Sequence, residues 1–463
     1  MKYINETKIS DLLKEVKKAT PAVIDGILKK SMSLKRLGLK ETAALLTVRN
    51  PAAVKKIFAA AASVKEAIYG RRIVLFAPLY ISNICANACL YCAFKSDNLL
   101  TKRRALTTGE IKKQVAWLLR RGHKRILMVA GESAPAGKTN IDYYVESVKA
   151  IYSVRLGPHR IKRVNVNCAP LGIADFKKLK SSGIGTYQLF QETYHEDTYR
   201  RVHPKGPKSD PDNRIDAIDR AFLAGIDDVG IGVLYGLYDW RFETLAMLMH
   251  VEHLEERFNV GPHTISVPRI EPALGVSFME NLPYKLSDNE FKRLVAVLRL
   301  SVPYTGIILS TRETAKMRDE LISLGVSQIS AESSTSPGGY SPAGNNKNQD
   351  TQFIVSDRRC LDDIIRMLIK KKNIPSFCAA CYRKERTGEV FMNLAKPGMI
   401  KGKCNMNALI TLKEYLDDFA SAPVKRSGYK LIDELKKSLD KGDSKSLSKF
   451  FKDIDRGKRD KFV

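Results

Sequence analysis

Residues 85–92 hold three cysteines in a CxxxCxxC spacing, the arrangement in this chain with the clearest capacity for chemistry. Three thiolates can bind three corners of a cubane iron–sulfur cluster, which ordinarily takes four cysteines, so one iron stays open to a substrate or cofactor. Structural zinc sites favour four ligands, and no fourth ligand stands nearby in the sequence. We predict that Cys85, Cys89 and Cys92 hold a [4Fe-4S] cluster. The alternative is that they are buried residues with a purely structural role.

A second group of cysteines lies near the C-terminal end of the chain. Cys378 and Cys381 form a CxxC pair, and Cys404 follows after 22 further residues. A zinc site completed by a histidine is the alternative, but no histidine follows His263 in the sequence. We therefore predict a second [4Fe-4S] cluster that also has an open iron. The two remaining cysteines, Cys168 and Cys360, are interpreted as packing residues.

The composition favours a cytoplasmic globular protein. The chain has 463 residues, 44% of them hydrophobic, which is enough for one large α/β domain with appended elements. Its eight cysteines are clustered, as is typical of metal chemistry in a reducing compartment rather than of a disulfide framework. We expect no membrane association, since the sequence has neither an apolar signal core nor an uncharged apolar run of bilayer length.

The net charge of +28 raises the question of an acidic partner. Lysine and arginine are spread along the whole chain with acidic residues between them, and no basic groove motif with interleaved aromatic residues is evident. We therefore do not expect functional nucleic-acid binding. An acidic protein such as an electron donor explains the charge at least as well, and a solvated basic surface is the simplest explanation.

Short apolar runs alternate with amphipathic segments from about residue 72 to residue 375. Eight such alternations predict an α/β fold, a (β/α)8 TIM-type barrel at residues 71–375, with a doubly wound sheet as the alternative. Residues 1–70 are predicted to form N-terminal helices, and residues 376–463 a C-terminal helical extension that carries the second cluster. The predicted strands are 73–81, 125–130, 161–167, 184–190, 228–234, 263–268, 305–309 and 326–330.

Polar residues stand at the carboxyl ends of several predicted strands, where the chemistry of such a barrel is located. Buried polar groups at so many strand ends are costly unless they are hydrogen-bonded or line a wet site. Helix caps, turns and surface ion pairs are the ordinary alternatives for each of them. His263 begins the sixth strand, the opposite end, unless that boundary is displaced by a few residues. The strand-end candidates are Gly131, Glu132, Asn165, Asn167, Glu192, Ser310 and Arg312.

Six further segments accompany the two cysteine motifs: GHKR at 122–125, VNVN at 164–167, GTYQ at 185–188, QETYH at 191–195, GPHTISVPR at 261–269 and ILSTRE at 308–313. Together they resemble the HydG family, the radical S-adenosylmethionine (radical SAM) tyrosine lyases that mature [FeFe]-hydrogenase. The resemblance covers residues 10 to 462. ThiH, the tyrosine lyase of thiamine synthesis, is the nearest relative that lacks the second cysteine pattern.

The resemblance implies a chemistry that spacing alone does not reveal. Family members use SAM to cleave the Cα–Cβ bond of L-tyrosine into p-cresol and dehydroglycine. The fragment then becomes CO and cyanide on an additional iron at the second cluster. The implied partners are an electron donor such as ferredoxin or flavodoxin and the other hydrogenase maturation proteins.

The resemblance also implies roles for individual residues. Tyr91 is expected to contact the adenine of SAM, and Glu132 its ammonium group. His263 matches the histidine that ligates the additional iron, while Arg312 and Ser310 are expected to bind the tyrosine carboxylate. The other strand-end residues are expected to contribute to cofactor binding, and they are Gly131, Asn165, Asn167 and Glu192.

Two features depart from the family pattern. The segment Ser330-Ala331-Glu332-Ser333-Ser334 has Glu332 and Ser334 where the family usually has glycine and arginine. The high positive charge is the second departure. Two alternative functions therefore stay open, a ThiH-like lyase that ends at dehydroglycine and a basic iron–sulfur protein that binds nucleic acid.

Overall fold

Eight parallel strands form a closed barrel in the computed structural model, which describes residues 1–16, 19–341 and 350–463. Neighbouring strands pair in chain order, and the first strand pairs with both the second and the eighth, which closes the barrel. This confirms the predicted (β/α)8 fold over the doubly wound alternative. The strands are β1 (Arg72–Ser82), β2 (Arg125–Ala130), β3 (Arg163–Asn167), β4 (Tyr187–Gln188), β5 (Val229–Gly232), β6 (Thr264–Ser266), β7 (Gly306–Leu309) and β8 (Gln328–Ser330).

Helices cover the outside of the barrel, so the strands are buried on both faces. Every residue of β1 is buried, as its nearly continuous apolar sequence predicts for a parallel strand. The helix after β1 begins with a capping box, in which Thr107 and Glu110 satisfy each other's backbone N–H groups. Within the described part of the barrel, the helices that connect or follow the strands are α5 (Thr108–Arg120), α6 (Asn140–Ser153), α7 (Ile173–Ser181), α8 (Glu196–Val202), α9 (Pro211–Leu223), α10 (Trp240–Phe258), α11 (Asp288–Ser301), α12 (Ala315–Leu324) and α13 (Leu361–Lys370).

Four N-terminal helices pack against the outside of the barrel at α10 and α11. Pro21 and Pro51 each occupy the first helical turn, where the missing N–H has no intrahelical partner to lose, as the sequence predicts. Buried hydrogen bonds tie this segment to the end of α11; the hydroxyl of Ser31 donates to the carbonyl of Leu300 at 2.8 Å. The helices are α1 (Glu6–Glu15), α2 (Pro21–Met32), α3 (Leu39–Thr47) and α4 (Pro51–Tyr69).

A ninth strand, β9 (Ile374–Ser376), was not predicted from the sequence. It pairs in parallel with the first residues of β1, with Ile374 opposite Arg72 and Ser376 opposite Val74. A three-residue strand is too short for its apolar pattern to stand out. The pairing directs the chain after residue 376 to the amino end of the barrel, where five helices follow: α14 (Ala380–Arg383), α15 (Gly388–Ala395), α16 (Ile400–Asp418), α17 (Ala422–Lys436) and α18 (Lys441–Asp455).

No helix in the described residues is long and apolar enough to cross a membrane. This agrees with the sequence, which lacks an apolar run of bilayer length.

Candidate active site and a second cysteine site

The CxxxCxxC loop follows the carboxyl end of β1, and the side chain of Asn87 holds it in shape. The Asn87 amide donates to Cys85 Sγ at 3.6 Å and to the Glu132 carboxylate. Its oxygen accepts from the backbone N–H of Lys208 at 2.8 Å. Asn87 therefore connects a cysteine to the strand end that carries Glu132.

The three thiols of this loop lie close enough to affect one another. Burial raises the pKa of Cys89 to about 12, and the thiols of Cys92 and Cys85 act in the same direction. Burial also raises the pKa of Cys92 to about 11, reinforced by Cys85. Crowded, desolvated thiols of this kind lose their protons when a metal group binds them. Three cysteine thiols without a fourth protein ligand in the loop match the donor set of a cluster with one open iron.

Gly131 and Glu132 lie beside this loop at the end of β2. A Cβ at Gly131 would lie 2.2 Å from the carbonyl oxygen of Ile84, so only glycine permits this approach. Glu132 is an acceptor for Arg214 at 2.8 Å. Burial opposes its charge, but Arg214 and Lys208 outweigh burial, and the pKa of Glu132 lies below its ordinary value.

A cavity opens at the carboxyl ends of the strands, as predicted for the chemistry of this barrel. Tyr91 and Cys92 from the cysteine loop lie on one side of it. The Tyr91 hydroxyl and the Nε2 atom of His203 are 2.8 Å apart. The Gln352 amide donates to Cys92 Sγ at 3.7 Å, and its oxygen accepts from Tyr80 at 2.7 Å. The candidate residues that line this cavity are Tyr91, Asn167, Glu192, Ser310 and Arg312.

Arg312 lines the cavity, and Glu192 and Glu271 are the nearby carboxylates that favour its charge. Its guanidinium lies 3.4 Å from the centroid of the Phe353 ring, and no described carboxylate lies within ion-pair distance of it. Burial lowers the pKa of Arg312 without removing its charge. Ser310 stands beside it, and its hydroxyl accepts from the Arg312 backbone N–H at 3.3 Å. A guanidinium beside a hydroxyl is chemically suited to bind a carboxylate.

Glu192 and the two asparagines of β3 lie at different depths in the barrel. Glu192 lines the cavity, has a positive φ of 72° and pairs with Lys208 at 2.7 Å. Asn167 also lines the cavity, and its amide donates to the carbonyl of Gln188 at 2.8 Å. Asn165 lies deeper in the barrel, where its oxygen accepts from Arg163 and from the Thr186 N–H, each at 3.1 Å. The structure does not bring Asn165 to the cavity.

Glu332 does not line the cavity, whereas Ser330, Ser333 and Thr335 of the same segment do. Glu332 has a φ of 51°, and its carboxylate pairs with Arg121 at 2.9 Å and accepts from the backbone N–H of Leu361 at 3.3 Å. Burial opposes the charge of Glu332, but His123 and Arg121 keep its pKa below the ordinary value. Arg121 therefore supplies the cation that neutralises Glu332.

The second cysteine site lies at the opposite, amino end of the barrel. Cys378, Cys381 and Cys404 line one pocket together with His263 and Arg72. Burial raises the pKa of Cys381 to about 12, and the thiols of Cys404 and Cys378 add to this effect. β6 begins at Thr264, one residue after the predicted start, so His263 immediately precedes the strand at its amino end, as expected from the sequence. His263 lies at the end of the barrel opposite the first site, where it lines the pocket of the second cysteine trio.

Three buried arginines lie at the amino end of the barrel, and two of them, Arg72 and Arg125, line the second site. Arg72, Arg125 and Arg163 are the first residues of β1, β2 and β3 and are 4 to 9% exposed. Arg125 donates to the carbonyl of Cys378. Burial opposes the charge of Arg72, but interactions with the nearby Cys404 and Tyr69 side chains outweigh burial and raise the pKa of Arg72. Thiolate-bound iron–sulfur clusters are anionic, so this layer of cations fits the charge of the predicted group.

Comparison with known proteins agrees with this architecture. Residues 79–250 match the Radical SAM superfamily, and residues 266–373 match the Biotin and Thiamin Synthesis associated domain. The chain is 32% identical over 292 residues to the 2-iminoacetate synthase of Escherichia coli K12. The aligned region is 63% of this chain and 74% of that relative. It is 39% identical to the hydrogenase maturase HydG from Carboxydothermus hydrogenoformans, with a TM-score of 0.83 and coverage of 96% and 97%.

A further crystal structure of HydG, a maturase of the [FeFe]-hydrogenase, is 47% identical, superposes with a TM-score of 0.96 and covers 100% of both chains. The chain belongs to the HydG family. As a member of the HydG family within the radical SAM superfamily, it is a radical SAM enzyme that uses a [4Fe-4S] cluster and SAM.

Several residues of this HydG-family site were missed by sequence reasoning. Asn87 stands inside the cysteine motif but had no assigned role, and Arg214 lies 82 residues from the carboxylate that it pairs with. Asp228 reaches the second site from the residue before β5. The sequence does contain a signal for the three buried arginines, because each of the first three strands begins with arginine. A charged residue at the start of a buried strand requires a partner at that end of the barrel.

Proposed function

We propose that this protein cleaves the Cα–Cβ bond of L-tyrosine to p-cresol and dehydroglycine, and that its second site converts the fragment to CO and cyanide on iron for assembly of the [FeFe]-hydrogenase cofactor. One observation carries this proposal. A single barrel holds a SAM-type cysteine loop at the carboxyl ends of its strands and a second cysteine trio with His263 at the amino ends. The barrel at 71–375 would house the cleavage, and the extension at 376–463 would supply the second site.

At the first site, Cys85, Cys89 and Cys92 would hold the cluster. When bound, the cluster and SAM supply the electron and the 5′-deoxyadenosyl radical that start the reaction. Tyr91 lines the cavity next to Cys92, where its ring can support the adenine. Glu132 keeps a negative charge beside the loop and is the group for the SAM ammonium.

The chain positions the tyrosine substrate through the opposite side of the cavity. The guanidinium of Arg312 has a free fork for a carboxylate, a geometry that arginine recognises by two parallel hydrogen bonds. Ser310 adds a hydroxyl, and Asn167 and Glu192 provide further polar groups at the cavity wall. The remaining wall is largely apolar, which excludes water from a radical reaction. Phe76, Leu127, Val129, Phe190, Leu234 and Ile308 form this apolar wall.

At the second site, Cys378, Cys381 and Cys404 would hold the second cluster, and His263 would ligate the additional iron. His263 is a suitable ligand because burial lowers its pKa, so the ring is neutral. The arginines at the starts of β1 to β3 offset the negative charge of thiolates and cyanide. Both sites lie in one barrel, at its two ends, and we propose that the fragment passes from the first to the second inside the protein.

The test is anaerobic incubation of the iron-reconstituted protein with SAM, L-tyrosine and dithionite. p-Cresol is followed by chromatography and CO by a haem-protein trap. We expect both products from the unmodified protein and p-cresol without CO from a Cys378→Ser/Cys381→Ser variant. Cys360→Ser is the matched control, since Cys360 lies outside both sites, and it should retain both products.

The similarity to 2-iminoacetate synthase supports a second candidate, a lyase that releases dehydroglycine as its final product. This candidate predicts p-cresol without CO from the unmodified protein. A nucleic-acid-binding iron–sulfur protein would instead form neither p-cresol nor 5′-deoxyadenosine.

A further inference from the structure

A row of polar and glycine residues crosses the inside of the barrel between its two sites. The strand register places four residues side by side on β4 to β7, and they are Gln188, Gly230, Thr264 and Gly306. Gln188 lines the cavity of the first site. Gln328 on the next strand, β8, lines the pocket of the second site. The row therefore reaches from one site toward the other.

The two glycines of this row make room for the side chains beside them. A Cβ at Gly230 would lie 2.4 Å from Thr264 Oγ1 and 2.9 Å from Gln188 Cγ. A Cβ at Gly306 would lie 2.6 Å from Gln328 Nε2. The polar side chains thus occupy the space above the glycines, inside the barrel. We call Gln188, Thr264 and Gln328 the polar layer.

The hydrogen bonds of the polar layer are incomplete. Its three side chains are buried, with exposures of 1% for Gln188, 1% for Thr264 and 6% for Gln328. The Gln188 amide donates to Thr264 Oγ1 at 3.5 Å, which is long, and its Oε1 atom has no hydrogen-bond partner among the described residues. A buried acceptor without a partner is costly, and a passing molecule with an N–H group would offset that cost. The layer therefore favours a small polar molecule.

We propose that the polar layer is a filter that admits the dehydroglycine fragment to the second site and retains p-cresol in the first cavity. This inference rests on the proposed function and deepens it, since it names the residues that select which product passes. Dehydroglycine is small, and its imine N–H can donate to Gln188 Oε1 while its carboxylate accepts from Thr264 and Gln328. Beyond the layer, its carboxylate meets Arg72 and Arg125, which line the second pocket.

The other product of the cleavage is unsuited to this passage. p-Cresol has a wide apolar ring with one hydroxyl at its edge. Its ring would separate the polar side chains from one another without giving hydrogen bonds in return, and such unpaired polar groups disfavour the wrong molecule. p-Cresol therefore leaves through the mouth of the first cavity.

The test measures where the fragment goes. A fragment that fails to reach the second site leaves the first cavity and reacts with water to give glyoxylate and ammonia. CO and glyoxylate are therefore quantified per p-cresol in the anaerobic reaction with SAM, L-tyrosine and dithionite. Gln188→Met and Gln328→Met keep the side-chain length but remove the amide. For each we expect CO per p-cresol to fall about threefold to tenfold, with a matching rise in glyoxylate and an unchanged rate of p-cresol formation.

Two further variants keep the test independent of folding. Thr264→Val removes only the hydroxyl at nearly constant volume and should shift the products in the same direction by a smaller factor. Gln114→Met is the matched control, because this buried amide on α5 bonds the backbone of Tyr340 and lies outside the row. It should leave CO per p-cresol unchanged. The iron content and paramagnetic signal of the second cluster, recorded without turnover, should match the unmodified protein in every variant.

Three outcomes would overturn the filter. The first is an unchanged ratio of CO to p-cresol in both methionine variants. The second is an equal fall of CO and p-cresol in Gln188→Met, which would assign Gln188 to tyrosine binding. The third is a loss of CO together with loss of the second cluster's iron in Gln328→Met, which would assign Gln328 to assembly of that site. Formation of p-cresol without CO by the unmodified protein would instead count against the proposed function.

Discussion

The Nδ1 atom of His263 lies 3.8 Å from the Oδ2 atom of Asp228, at the amino end of the barrel. Asp228 is 3% exposed, and in the described structure neither of its carboxylate oxygens has a hydrogen-bond partner. Arg163 is the nearest cation, at 3.7 Å. A buried carboxylate without a hydrogen bond is costly, and the His263 ring is one of the groups close enough to donate to it, together with Arg163 and Tyr382. Donation from His263 would fix the proton on Nδ1 and leave Nε2 for iron.

Asp228→Asn is therefore expected to weaken binding of the additional iron. Carboxylates that orient a metal-ligating histidine typically contribute 10- to 100-fold in metal affinity, and we expect a loss of about that size. Iron content after dialysis against a chelator, together with the paramagnetic resonance signal of the additional iron, measures it without turnover. Asp227→Asn is the control, since Asp227 is exposed and adjacent in sequence. Equal iron retention in both variants would show that Asp228 does not position the histidine.

Arg312→Lys should weaken tyrosine binding while leaving SAM binding intact. Lysine keeps the positive charge but lacks the planar fork that binds a carboxylate with two hydrogen bonds. Loss of one charged hydrogen bond costs about 1.5–3 kcal/mol, so the KM for tyrosine should rise roughly 10- to 100-fold. The rate of 5′-deoxyadenosine formation without tyrosine reports SAM binding and should be unaffected. Arg104→Lys, an exposed change, should alter neither quantity.

Much of the barrel could be predicted from the sequence because its determinants are local. Each buried strand is an apolar run followed by an amphipathic helix, and each cysteine motif is contained in a short segment. Pro21 and Pro51 marked helix starts correctly for the same reason. The predicted place of Ser310 and Arg312 at the cavity followed from the strand-end rule.

The remaining parts depend on pairings between distant segments. Arg214 meets Glu132 across 82 residues, and no local pattern indicates which carboxylate a buried arginine will find. β9 exists only because three residues pair with the start of β1. Asn165 shows the limit of the strand-end rule, since alternate residues of one strand lie at different depths of the barrel, and only Asn167 reaches the cavity.

Removal of the Arg214 guanidinium should be strongly destabilising. Arg214 is 5% exposed and pairs with Glu132 at 2.8 Å, so Arg214→Ala removes the ion-pair partner of this carboxylate and leaves it only the Asn87 hydrogen bond and the charge of Lys208. Breaking a buried pair in this way typically costs about 3–5 kcal/mol. The decrease in the free energy of unfolding is measured by urea denaturation of the protein. Arg200→Ala, which removes an exposed ion pair with Glu196, should cost less than about 1 kcal/mol. Equal decreases in the free energy of unfolding would mean that the buried Arg214–Glu132 pair stabilises the protein no more than the exposed Arg200–Glu196 pair.

Glu243 on α10 holds the loop that carries Glu192 to the cavity. Its carboxylate accepts from the Tyr194 N–H at 2.8 Å and from the Thr193 hydroxyl. Burial raises the pKa of Glu243 to about 8, and the charges of Asp239 and Glu6 act in the same direction. The unfolded chain has the ordinary glutamate pKa, near 4.3. The folded protein therefore binds a proton that the unfolded chain releases between these values.

The sign of the pH dependence follows from this difference. The contribution of Glu243 to stability is fully present below about pH 4.3 and is lost as the pH rises toward 8, because the folded state must keep a proton or bury a charge. Glu243→Gln should flatten the fall in stability between pH 5 and pH 8, measured as urea midpoints across that range. Glu256→Gln, an exposed change on the same helix, should leave the slope unchanged. If Glu243→Gln retained the full slope, other groups would have to cause it. If it flattened the slope but also lowered tyrosine turnover, the loop carrying Glu192 would need both hydrogen bonds of the carboxylate to keep its place at the cavity.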